Sequence, residues 1–294
     1  MAPHTVHLLD ASPYIFRAFF SLPESLTDPA GNPVNAVYGF LGFLHRYLNE
    51  ERPTHAAVAF DRSLTTSFRN DFHPGYKAGR ALPPPALERQ QDDCRAVAAA
   101  LGFPVFDDAR YEADDLIAAL HAELRRAGER VVVVTSDKDL GQLVDAGTEL
   151  YDFARGQRYD AAGIEARFGV RPDQLADYLG LAGDAVDDIP GVPGVGPKGA
   201  VALLSAFGTL DALYAQLDLV PSLPLRGARA LAAKLDQGRE LAFLSRRLAT
   251  LAREAPARAE LDALRLSPPE RAQLEPLLRR LGFEGFLGRF PPAG

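Results

Sequence analysis

A chain of 294 residues with 47% hydrophobic content can bury a sizeable core, as one large domain or two unequal ones. Its single cysteine, Cys94, excludes an internal disulfide and a cysteine-rich zinc site. No apolar run reaches the length of a membrane span and the N-terminus MAPHTVHLLDAS does not read as a secretion signal, so a cytoplasmic protein with no membrane partner is expected. The formal charge of −7 argues against a nucleic-acid partner only superficially: with nine motif acids set aside, 30 of the 39 carboxylates face 32 cationic side chains.

In chain order, His4–Leu9 reads as a first strand and ends at Asp10. Val34–Glu50 has helical spacing, and His55–Phe60 is a second strand followed by Asp61. Between Asp61 and Pro85 lies an irregular basic and aromatic stretch, DRSLTTSFRNDFHPGYKAGRALPPP, too long for an ordinary strand-to-helix connection. Pro85–Leu101 is helical and carries Cys94 as a packed or half-exposed thiol, not a nucleophile; Ala113–Ala127 is helical and opens on Glu112, Asp114 and Asp115. Arg130–Thr135 contains VVVV, a strand buried on both faces, with Asp137 and Asp139 just beyond it. This alternation predicts a parallel α/β sheet. From about Phe168 the pattern is almost wholly helical, with Phe168–Pro172 as the boundary region and Pro291–Gly294 as a frayed end.

The acids have a common address. Asp10, Asp61, Asp137 and Asp139 follow strands, and the carboxyl ends of parallel strands share one edge. Helix-dipole stabilisation alone accounts for acids such as Glu112 and Asp114, but not for four acids placed after strands. So many carboxylates stay ionised together only with positive charge among them, and magnesium or manganese takes oxygen ligands of this kind. The run GDAVDDIPGVPGVGPKGA adds Asp184, Asp187 and Asp188, then a Gly194-Val195-Gly196 turn with Pro197 and Lys198 opening a helix. Such a turn offers backbone amides to phosphate without reading a base. In the basic loop, Arg69, Tyr76, Lys77 and Arg80 sit among Phe68 and Phe72, a mixture suited to single-stranded nucleic acid. Each element alone has an ordinary reading as a solvated loop or a helix connection; together they predict metal-dependent cleavage of nucleic acid.

With these pieces in order, the sequence resembles the bacterial and phage 5′ nucleases, the family of flap endonucleases, 5′→3′ exonucleases and the nuclease region of bacterial DNA polymerase I. The resemblance runs through LLDASPYIFRAFF, NAVYGFLGFL, VAFDRSLTTSFRNDFHPGYKAGR, YEADDLIAAL, VVTSDKDLGQLV, GDAVDDIPGVPGVGPKGA and LLRRLGFEGF. It implies a PIN-like α/β catalytic domain over residues 1–168 with a helical arch at about 62–90. Residues 169–294 would be a helical domain with a helix-hairpin-helix (SAM-like) DNA-binding element.

By motif, Asp10, Asp61, Glu112, Asp114 and Asp115 resemble one metal-binding set, and Asp137, Asp139, Asp184 and Asp187 the other, for two ions in all. Lys77 and Arg80 resemble the arch residues that hold the scissile phosphate, and Arg17, a helical turn or so past Asp10, is also placed to meet phosphate as a candidate catalytic residue; Arg69, Tyr76, Gly194, Val195, Gly196 and Lys198 resemble DNA contacts. The resemblance also implies a potassium ion held by backbone carbonyls near Leu181, Ala182, Val192 and Val195. The implied partner is branched or 5′-ended DNA, cut to leave a 5′-phosphate in replication and repair, by a monomer. Two departures stand out: Asp188 where many relatives have Asn, and Phe16 at a position often Tyr. No polymerase sequence follows, so a stand-alone nuclease is expected. A junction-binding protein with weak catalysis and a PIN-type ribonuclease are the alternatives.

Overall fold

The computed structural model describes residues 3–63, 65–225 and 227–290; the terminal stretch 291–294, expected to fray, lies outside them. In chain order the elements are β1 (Thr5–Asp10), α1 (Ser12–Ser21), α2 (Asn35–Glu51), β2 (His55–Asp61), α3 (Pro85–Ala100), β3 (Val105–Asp108), α4 (Ala113–Arg126), β4 (Arg130–Val134), β5 (Thr148–Asp152) and β6 (Gln157–Tyr159). The helices α5 (Ala161–Phe168), α6 (Leu175–Ala182), α7 (Pro197–Phe207), α8 (Leu210–Ala215), α9 (Ala228–Gln237), α10 (Arg239–Ala249) and α11 (Arg271–Leu281) follow.

The strands form one sheet in the order β3-β2-β1-β4-β5-β6, parallel except for the antiparallel edge strand β6. Three of the six were expected; β3, β5 and β6 are short, and their mixed polar sequences hide the alternation. The VVVV run divides as expected for a strand covered on both faces. Val131 and Val133 join the core under α4 and the C-terminal helices, while Val132 and Val134 join the core under α1, α2 and α3. Each buried valine contributes roughly 2 kcal/mol of hydrophobic stabilisation, which fixes the register against slippage.

That parity places the acids. Val6, Leu8 and Asp10 point to the α4 side, as do Ala57, Ala59 and Asp61. Asp10 pairs in register with Ala59, so Asp61 stands one side-chain repeat further out on the neighbouring strand. The strand order reverses direction between β1 and β4, and the carboxyl ends there form a crevice suited to a ligand.

Two features differ from expectation. Among the described residues, the segment expected as a helical arch contains one 3-10 turn, Phe68–Asp71, and otherwise bends and turns up to the start of α3. Its prolines and glycines, HPGYKAG and PPP, account for that. The C-terminal part also returns to the first layer: α11 packs against α3, and Phe283, Phe286 and Phe290 share a core with α2. Packing therefore divides the chain less cleanly than the sequence boundary at residues 168 and 169. Among the described residues, no helix is long and apolar enough to cross a membrane.

Candidate active site at the carboxyl edge of the sheet

The carboxylates fall into two classes by whether the protein's own cations hold them. Glu112, Asp115, Asp184 and Asp187 are held. Glu112 accepts from Lys77 Nζ at 2.5 Å, from Arg69 at 3.0 Å and from the Tyr76 hydroxyl at 3.1 Å. Asp184 accepts from Lys138 at 2.5 Å, and Asp187 pairs with Arg80 and lies 3.8 Å from Lys77. Burial pushes the Glu112 carboxyl up, but Lys77 and Arg69 outweigh it and hold it below the usual range. Asp184 is likewise low: burial opposes, and the Lys138 and Val186 hydrogen bonds win.

Asp10, Asp61, Asp114, Asp137 and Asp139 have no ion pair among the described residues. Asp10 is 2% exposed; it accepts from the Ser12 amide at 3.2 Å and the Thr135 hydroxyl at 2.8 Å. Asp61 accepts from the Ser12 hydroxyl at 2.5 Å and from the Ala113 amide, at the N-terminus of α4, at 2.8 Å. Thr135 in turn accepts the Asp137 amide, and Asp137 accepts the Asp139 amide.

Asp10, Asp61, Asp114 and Asp139 all hold their protons more tightly than free carboxyls. Burial and then Asp61 push Asp10 up. Burial and then Glu112 raise Asp61. Burial followed by Asp137, Asp10 and Asp61 lifts Asp114 well above the usual range, and burial with Asp137 brings Asp139 to about 7. Among the described residues, no three of these side chains meet in a preformed ion cage. The donor set nevertheless fits a hard cation: all ligands are oxygen, and closely placed acids, one buried and four half-buried, without a cationic partner need added positive charge to ionise together.

Several sequence expectations need correction. Asp115 is fully buried, with both oxygens engaged by Arg69 and by the Ala252 and Glu112 amides, so it holds no free edge for an ion. Arg69, expected at DNA, is 2% exposed and also donates to the Leu248 and Thr250 carbonyls. Tyr76 is buried, with its hydroxyl on Glu112. Both were misplaced because a cation or aromatic in a loop looks the same in sequence whether it faces solvent or plugs the loop onto its neighbour.

Lys77 and Arg80 do reach the acids, but as their partners. Arg17 is exposed on α1, without an ion pair among the described residues. Sequence reasoning missed Ser12, Thr135 and Lys138, although each lies within two residues of a motif acid.

The glycine-rich run forms a second feature. Gly194 takes φ +80, Gly196 caps α7 and Lys198 is exposed, while Lys234 from α9 approaches the Gly194 carbonyl at 3.4 Å. The positive φ at Gly194 is what favours glycine there; a Cβ would also meet the exposed Lys234 side chain, which can swing aside. Val195 is buried beneath the turn. The Leu181 carbonyl accepts from the Val192 amide at 2.9 Å, and the Val192 carbonyl from the Val195 amide at 2.9 Å; Ala182 ends α6 beside them.

Residues 5–169 match the family description of a 5'-3' exonuclease N-terminal resolvase-like domain, and residues 170–272 that of a 5'-3' exonuclease C-terminal SAM fold. The chain belongs to the 5'-3' exonuclease family. DNA polymerase I of Pseudomonas aeruginosa is 43% identical over 281 residues, covering 95% of this chain and 31% of that protein. DNA polymerase I of Bacillus subtilis is 36% identical, covering 96% of this chain and 32% of its own length. The chain thus spans about a third of the curated relatives it matches.

The same fold appears in T5 D15 protein co-crystallised with metal ions (TM-score 0.71, 20% identity, covering 95% of this chain and all of that one). It also appears in the catalytic core of Rad2 with DNA substrate (TM-score 0.63, 16% identity, covering 99% and 92%). This 5'-3' exonuclease family chain therefore combines a resolvase-like parallel-sheet core with a helical SAM fold.

Proposed function

We propose that this protein is a cytoplasmic, monomeric, divalent-metal-dependent 5' nuclease, an exonuclease and flap endonuclease on branched or 5'-ended DNA in replication and repair. The observation that carries the reading is the group of acids without cationic partners among the described residues, the buried Asp10 and the half-buried Asp61, Asp114, Asp137 and Asp139, at the switch point between β1 and β4. Glu112, Asp184 and Asp187 complete the set once Lys77, Lys138 and Arg80 turn to phosphate. Two magnesium or manganese ions bound there would activate a water and stabilise the leaving oxygen of an in-line displacement.

The chain's own residues do the rest. Ser12 and Thr135 fix the orientation of Asp61 and Asp10, so their oxygens face the crevice without reorganisation. Lys77 and Arg80 sit on one short loop between Glu112 and Asp187, where a phosphodiester entering the crevice exchanges with those carboxylates as their partner. Arg17 offers a further guanidinium from α1. The Gly194-Val195-Gly196 turn, with Lys198, holds a phosphate on the duplex side through backbone amides. Carbonyls near Leu181, Ala182, Val192 and Val195 would accept a potassium ion; those of Leu181 and Val192 keep a second lone pair after their hydrogen bonds.

The test is cleavage of a 5'-labelled flap duplex in magnesium, with a metal-free control and a closed single-stranded circle. Metal-dependent release of a short 5' fragment, with the circle spared, is the expected result. Flap binding without cutting in either metal would make this a junction-binding protein. Preference for an RNA strand would make it a ribonuclease.

A further inference from the structure

A cavity of about 280 Å³ opens between α1, α2 and the residues just after β5, and none of its lining side chains is acidic. It lies on the same carboxyl edge as the acidic crevice, because Phe153 directly follows β5 and β5 is the neighbour of β4. Two guanidinium groups line it, Arg17 from α1 and Arg46 from α2. Aromatic side chains floor it: Tyr14 and Phe43 stack with centroids 3.7 Å apart and planes within 9°.

Arg46 is held in place. Its guanidinium lies 4.4 Å from the centre of the Phe153 ring and donates to the Phe153 carbonyl at 3.3 Å. Its one carboxylate neighbour, Glu50 at 3.4 Å, is 54% exposed, a surface pair worth little. Gly42 leaves the wall open, since a Cβ there would meet nothing within 4 Å. A guanidinium braced on an aromatic ring, a second one lining the same cavity, an aromatic floor and a lining free of acids describe an anion site beside an otherwise acidic edge, with Glu50 the exposed carboxylate that a bound phosphate would displace.

We propose that this cavity is a second phosphate subsite, taking a phosphodiester of the substrate DNA away from the bond that is cut, between Arg46 and Arg17. The subsite rests on the nuclease reading above. It makes Arg46 a substrate-positioning residue: the DNA is gripped on both sides of α1, at the acidic crevice and at this cavity. That grip sets the angle at which the strand crosses Lys77 and Arg80.

The test is binding of labelled flap DNA by fluorescence anisotropy in metal-free buffer over a series of salt concentrations. Cleavage in magnesium is measured alongside. Arg46→Ala is expected to weaken binding roughly ten-fold and to reduce the slope of log affinity against log salt by about 1. The loss should fall on KM more than on kcat, and Arg46→Lys should recover part of it. Gly42→Asp, which adds a carboxylate without disturbing packing, should weaken binding with thermal stability unchanged.

Wild-type affinity and salt slope in both Arg46→Ala and Gly42→Asp, with the wild type cutting normally, would overturn the subsite and leave the nuclease reading standing. A wild type that neither binds nor cuts flap DNA would overturn both. Inorganic phosphate stabilising the wild type but not Arg46→Ala, while DNA affinity stays unmoved, would mark a site for free anions and overturn the DNA assignment.

Discussion

Arg69 and Asp115 form a buried fork-to-fork pair, with nitrogen–oxygen distances of 2.7 and 2.8 Å and almost no exposure on either side. Arg69 comes from the basic loop, Asp115 from the first turn of α4, and the Leu248 and Thr250 carbonyls at the end of α10 complete the shell. The pair therefore ties the loop, the catalytic core and the C-terminal helices together. Removing one partner leaves an uncompensated buried charge, so Arg69→Ala should cost about 3–5 kcal/mol in chemical denaturation. A cost under about 1 kcal/mol would mean that the pair does not hold these elements together.

Asp10 carries the opposite kind of energetics. Its ionised form is disfavoured by burial and by Asp61, so the metal-free protein bears strain at neutral pH that an amide would relieve. Asp10→Asn should melt at a higher temperature than wild type without metal and lose the stabilisation magnesium gives. Cleavage should fall more than about 100-fold, while flap binding persists. Asp137→Asn should also abolish cleavage. Full activity in either variant would remove that residue from the metal set.

The proton on Asp139 gives a pH signature with a definite sign. Burial and Asp137 bring its folded pKa to about 7, above the ordinary aspartate value of 3.8. A raised carboxyl pKa means the group's contribution to stability is complete below 3.8 and is lost as pH rises through about 7. A cation reverses this, because it needs the ionised form. The melting-temperature increase produced by magnesium should therefore grow from pH 5.5 to pH 8, roughly as one proton displaced per ion bound. An increase independent of pH over that window would exclude Asp139 from the ion's surroundings.

Much of this site was legible in sequence because strand-end position needs only two facts, the alternation of buried residues and the parallel sheet. Both place Asp10, Asp61 and Asp137 on one edge. The basic loop was not legible in the same way. Lys77 and Arg69 are eight residues apart in one irregular stretch, yet one reaches the crevice and the other is locked beneath it. That difference depends on Asp115 and on carbonyls at residues 248 and 250, which no local pattern connects to the loop. Short β3, β5 and β6 escaped notice for a related reason: their stability comes from neighbours already in the sheet, not from their own apolar content.

Lys77 is the loop residue with the clearest catalytic expectation. Its ammonium group touches Glu112 and lies within reach of Asp187, and these carboxylates, overcoming burial, hold its pKa well above the usual range. It stays charged at any working pH and can meet charge developing on phosphate. Lys77→Ala should lower the rate at saturating flap DNA by about 100- to 1000-fold, with a much smaller effect on unfolding. An unchanged saturating rate would take Lys77 out of the reaction.

Asp188 shows why a departure from relatives can be structural. Its backbone is left-handed, φ +54, a conformation that Asn and Asp tolerate better than other side chains. Its carboxylate accepts the Gly79 amide at 2.7 Å, between Lys77 and Arg80 in the basic loop. The neighbouring Asp187 carbonyl also accepts the Lys77 amide at 3.1 Å. Two successive residues of the glycine-rich run thus latch the loop from below, and either an amide or a carboxylate oxygen can serve at the second. Asp188→Asn should therefore leave stability and cleavage within about two-fold of wild type. Asp188→Ala loses the acceptor and strains the left-handed backbone, at a cost of about 1–2 kcal/mol. Hydrogen exchange at the Gly79 amide should accelerate in the alanine variant and not in the asparagine one. Equal exchange in all three proteins would mean that the loop is held without this latch.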